Sequence, residues 1–131
     1  MIYAFLAFLG YLFVNLGMKF VSGENPYLVS LVLYFVAGIS MFVVLLQKFE
    51  FSIAPKSIMI AALMGLFSLG ATVFALKAMK TTSNPGYVVA IFSANFVVLS
   101  IISVFIFGSS LSLKGLIGVI AIFIGLMLLS I

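Results

Sequence analysis

Few side chains in this 131-residue chain are equipped for chemistry, and their positions narrow what that chemistry can be. The two acids, Glu24 and Glu50, both stand in short polar breaks between long apolar runs. No carboxylate lies where a bilayer centre would fall. Exchange of a proton for a cation on a buried Asp or Glu with a raised pKa is therefore disfavoured. The chain has no histidine and no cysteine, which removes the usual general base, the thiol nucleophile and the common transition-metal ligands. No nucleophile–base pair, phosphate loop or nucleotide motif is present. The residues point away from an enzyme and imply no metal or cofactor.

What remains is a small set of polar groups inside apolar runs. Tyr11, Asn15 and Lys19 are spaced by four and share one helical face. Ser68 and Thr72 share another, and Ser93, Asn95 and Ser100 lie further on. An unpaired amide in hydrocarbon costs several kcal/mol, so Asn15 and Asn95 must face protein or water. For Asn15, contact with a solute and a bond to a neighbouring helix both stand open; for Asn95 the bond to a helix is favoured. The candidate substrate-binding set is Tyr11, Asn15, Ser68, Thr72, Ser93 and Asn95. Lys19 and Lys77 lie about one turn inside their helix ends, where snorkelling to the head groups explains them. Contact with an anion or a lipid head group is the sharper alternative.

These groups must be positioned by helices. Five apolar runs, at about 2–21, 26–47, 55–79, 85–107 and 113–131, are each about 20 residues long and so span roughly 30 Å of hydrocarbon. The chain is 66% hydrophobic and 6% charged, with mean hydropathy +1.51, a surface that a soluble domain of this size could not keep in water. The expected fold class is all-α integral membrane, with five transmembrane helices in one domain over 1–131, in the cell membrane. The first run has no basic residue before it and no small-residue cleavage pattern after it, so it reads as a retained helix. The net charge of +4 comes from lysines at or near helix ends, which speaks for membrane-edge anchoring and not for nucleic acid.

Each proline stands where a helix should begin. Asn25-Pro26 and Asn84-Pro85 pair a capping residue with proline at the first helical position. Ala54-Pro55 is similar, with Ser52 nearby, and Ser109, Ser110 and Ser112 are capping candidates before Leu113. Small residues form stripes: Ala61, Gly65, Ser68, Thr72 and Ala75; Gly86, Ala90, Ser93, Val97 and Ser100; Gly118, Ala121 and Gly125. Such stripes let helix backbones approach closely. Packing inside the bundle is the favoured reading of each, with a cavity wall or a dimer seam as the alternative.

Phe74-Ala75-Leu76-Lys77-Ala78-Met79, the break after it, Phe107-Gly108 and the stretch Leu111 to Gly125 together resemble the drug/metabolite transporter superfamily, and most closely one five-helix half of an EamA-type transporter. Met18-Lys19-Phe20 and the glycines at 118 and 125 are also similar to the small multidrug resistance transporters of that superfamily. On that alignment their essential membrane glutamate falls on Tyr11, and an acidic residue common after the fourth helix is replaced by Ser109. The resemblance implies a half-unit whose first, third and fourth helices face a central cavity and whose last helix contacts a partner through Gly118, Ala121 and Gly125. It implies transport of a small organic solute, metabolite or drug-like, by alternating access. The working unit would be an antiparallel homodimer or a pairing with a homologous half. A subunit of a lipid-linked sugar flippase and a non-transporting accessory subunit are the rival readings.

Five spans place positions 1 and 131 on opposite sides. Lys48, Lys56 and Lys114 then share the side of the first residue, against Lys19, Lys77 and Lys80 on the other. Three against three nearly cancels the bias that fixes orientation. Cysteines introduced near positions 1 and 131 and labelled from one side should each react in part of the population. Two lysines added to one set of breaks should restrict labelling to one end. A wild-type population wholly in one orientation would refute the balance.

Overall fold

A computed structural model of the protein describes residues 2–48 and 52–129, so Glu50 lies outside the described residues. Those residues form five α-helices: α1 (Ile2–Phe20), α2 (Pro26–Lys48), α3 (Pro55–Thr81), α4 (Pro85–Phe107) and α5 (Leu113–Leu129). The helix boundaries agree with the sequence reading to within two residues. α1 to α4 are long and apolar enough to cross a membrane. α5 has 17 described residues, about 26 Å of helix at 1.5 Å per residue.

The polar breaks work as helix caps. Asn25 Oδ1 accepts from the amides of Tyr27 (3.0 Å) and Leu28 (3.4 Å). Asn84 Oδ1 accepts from Gly86 N at 2.9 Å, with Pro85 opening α4. In both, the side chain satisfies a donor with no helical partner, and proline removes another. At α3 the Ala54 carbonyl accepts from Ser57 N and Ile58 N. Of the three serines before α5, Ser112 is the cap, its Oγ accepting from Gly115 N at 3.1 Å.

The end of α4 is closed by Gly108, in the left-handed region at φ 59°, whose N–H reaches the Ser103 carbonyl. Ser109 turns back instead of capping α5, and its Oγ–H donates to Ser103 Oγ at 3.1 Å.

The helices divide into two compact units, 1–81 and 82–131. In the first, α3 packs against both α1 and α2. Its core gathers at one end: Leu76 (1% exposed) and Met79 (0%) are enclosed together with Met18, Ser22, Ser30, Val73 and Ala75. In the second, α4 packs against α5. Elsewhere large side chains such as Phe5, Phe35 and Phe67 are exposed, a surface compatible with lipid and not with water.

Lys19 joins α1 to α3 at the enclosed end. Its Nζ donates to the Met79 carbonyl at 2.9 Å, one of the carbonyls in the last turn of α3 that lack a helical donor. A cation there also meets the negative end of the helix dipole. Thr81 Oγ1 serves the neighbouring Ala78 carbonyl at 2.9 Å.

Gly108→Ala would force a Cβ into the left-handed conformation. It should destabilise the α4–α5 turn by about 1 kcal/mol, read as a lower midpoint in thermal unfolding of the purified protein. An unchanged midpoint would mean the turn relaxes to another backbone conformation.

Candidate functional site

Three groups of polar side chains stand on the spans. On α1, Tyr11 is exposed and Asn15 half-buried, one turn apart on a single face. Neither side chain makes a hydrogen bond among the described residues. Lys19, one turn further, donates to Met79 at the enclosed end.

The second group bridges α2 and α3. Tyr34 Oη lies 2.7 Å from Ser68 Oγ and 2.8 Å from Thr72 Oγ1. Thr72 Oγ1 itself lies 2.9 Å from the Ser68 carbonyl. A carbonyl can only accept, so the single Thr72 hydroxyl proton goes there. Thr72 must then accept from Tyr34, which uses the phenol proton, and Ser68 Oγ–H must donate to Tyr34 Oη. The result is a directional ring: Ser68 hydroxyl to Tyr34, Tyr34 to Thr72, Thr72 to the Ser68 carbonyl. Each hydroxyl donates once, and no proton is left over.

Ser68 and Thr72 were expected from the sequence; Tyr34 was not. The signal was available in Tyr27, Ser30 and Tyr34, spaced by three and four along the otherwise apolar first half of α2. Tyr27 belongs to the same stripe: Lys77 Nζ donates to its hydroxyl at 3.0 Å and lies 4.9 Å from its ring centre and 5.9 Å from that of Phe74. Lys77 is thus held by a hydrogen bond and by the faces of two rings, while its other ammonium protons stay available.

The third group is on α4, in the other unit. Ser93 is half-buried, with its hydroxyl donating to the Val89 carbonyl at 2.9 Å. Asn95 is exposed and makes no hydrogen bond among the described residues. Two positions along a helix turn through about 200°, so Ser93 and Asn95 lie on different faces of α4. On α5, a Cβ added at Gly118 or Gly125 would meet nothing within 4 Å, so these glycines are not spent on close packing against α4. The structure therefore joins Ser68 to Thr72, keeps Tyr11 beside Asn15, and separates Ser93 from Asn95.

The family model described as the EamA-like transporter family matches the chain over residues 1–131. No curated protein and no solved structure matches it.

Tyr34→Phe removes the central link of the ring and leaves Ser68 Oγ without its acceptor. At the strength of hydrogen bonds between membrane helices, the loss should be about 1 kcal/mol. Ser68→Ala added to Tyr34→Phe should cost less than the two separate losses summed, because both break the same link. Unfolding of the four variants in one detergent or bilayer checks this, and strict additivity would refute the ring.

Proposed function

The chain belongs to the EamA-like transporter family, whose model matches residues 1–131, and we propose that it moves a small organic solute across the cell membrane by alternating access. Membership of that family and the long apolar helices make it a multi-pass membrane protein, in a family of transporters and not of enzymes. The proposal adds the fifth span, the mechanism and the residues.

The observation that carries it is Asn15. A half-buried amide on an apolar helix, without a hydrogen-bond partner among the described residues, is expensive in hydrocarbon. Water or a solute in a cavity along α1 removes that cost. Tyr11, one turn away, offers a ring for stacking and a hydroxyl for orientation. Ser68 and Thr72 on α3, and Ser93 and Asn95 on different faces of α4, are the other residues proposed for solute contact, with Tyr34 fixing the two α3 hydroxyls. Lys77 keeps donors for an anionic group or head group, and Lys19 is the second cation proposed for that contact.

The working unit we propose is a pair with inverted symmetry, formed by two copies or by this chain and a homologous half. Alternating access commonly uses such repeats, and the even division of lysines lets both orientations insert. Gly118, Ala121 and Gly125 supply the proposed seam, and the open space beside both glycines favours that use.

Uptake into liposomes containing the purified protein, against a panel of amino acids, quaternary amines and phosphorylated sugars, tests the reading. Asn15→Leu should abolish uptake of the transported class while expression and folding stay near wild type. If Asn15→Leu instead prevents folding and Tyr11→Phe transports normally, the pair is structural and the proposed path is wrong.

A further inference from the structure

An open groove of about 660 Å³ follows one face of α2 and begins at the α1–α2 break. Its walls include Leu28, Val32, Leu33 and Val36, and its mouth holds Glu24 and Asn25. The wall positions step by four, one and three, so the groove lies along a single stripe of the helix. From Leu28 to Val36 it descends about 12 Å from the membrane edge.

The mouth is chemically specific. Glu24 is exposed, and its carboxylate makes no hydrogen bond or ion pair among the described residues. It stays unpaired although this end of the unit carries Lys19, Lys77 and Lys80. Lys19 is directed to the Met79 carbonyl and Lys77 to Tyr27. Beside Glu24, Asn25 spends its side-chain oxygen on the amides of Tyr27 and Leu28. Those two bonds fix which end of the amide is which and turn its NH₂ away from the helix start. That NH₂ has two donors and no acceptor among the described residues. An anionic acceptor and a neutral double donor thus stand together above an apolar channel.

We propose that this groove binds a phospholipid with a primary-amine head group of the ethanolamine type. The ammonium donates to the Glu24 carboxylate, a phosphate oxygen accepts from the Asn25 NH₂, and one acyl chain lies along Leu28, Val32 and Val36. A choline head group carries the same charge but has no N–H to donate. A glycerol head group leaves a net negative lipid facing a carboxylate. The assignment does not depend on what the protein transports.

The test is native mass spectrometry of the full-length protein released from bilayers of equal parts ethanolamine, choline and glycerol phospholipid with matched acyl chains. Wild type should retain the ethanolamine lipid roughly tenfold over either other class, the scale of one charge-assisted hydrogen bond. Glu24→Gln should reduce that preference to near unity, and Glu24→Lys should shift it to the glycerol lipid. Asn25→Ser keeps a capping oxygen but lacks the NH₂, and should weaken retention of ethanolamine and choline lipids alike. Equal retention of all three classes by wild type, a wild-type preference for the glycerol lipid, or a preference unaltered by Glu24→Gln would each overturn the proposal.

Discussion

Hydrocarbon offers no hydrogen bonds, so every polar group on a spanning segment must find its partner inside the protein, in a cavity, or in another molecule. That constraint organises this chain more than any packing motif does. The backbone meets it by being helical. Most hydroxyls meet it within their own helix: Ser30 donates to the Pro26 carbonyl, Ser40 to Val36, Ser93 to Val89 and Ser100 to Phe96. Each is a four-residue back-bond, which satisfies the proton and leaves the helix intact. The ring of Tyr34, Ser68 and Thr72 is the same solution extended across two helices. Amides cannot adopt it so readily, because a carboxamide has two donors as well as an acceptor. Asn15 and Asn95 therefore stand out as the groups whose partners must come from elsewhere.

The enclosed end of the first unit shows the constraint at a helix terminus. The last carbonyls of α3 have no donor within their own helix, and Lys19 and Thr81 serve two of them. The Lys19 contact ties α1 to α3 at this end: the ammonium reaches the Met79 carbonyl, and Met18 and Ser22 are enclosed nearby. A lysine placed for snorkelling by its sequence position thus also ties two helices together. The two uses are compatible, since an ammonium has three protons and the carbonyl takes one.

The boundaries of the spans were legible because proline, asparagine and serine mark helix starts by local chemistry, and local chemistry is what a sequence displays. Asn25, Asn84 and Ser112 cap where their spacing said they would. Ser109 was ambiguous because a serine after a helix can serve the helix behind it or the one ahead, and only the fold of the Gly108 turn decides. Tyr34 was missed for a different reason: among residues sorted by size, tyrosine counts as bulk, and its hydroxyl matters only once α2 is set against α3. The separation of Ser93 from Asn95 could have been read from helical geometry alone.

The pattern of acids has a mechanistic consequence. Glu24 lies at a membrane edge and Glu50 in a break by sequence, so no span carries a carboxylate to exchange protons against a solute. Coupling through protonation of the carrier would have to use a phenol or an ammonium, and Tyr34, the phenol most firmly held, has its proton committed to Thr72. In the proposed pair of two copies of this chain, the charge on the spans would then stay constant through the cycle. The driving force would act on the solute, or on an ion carried with it, through concentration gradients and, for charged species, the membrane potential.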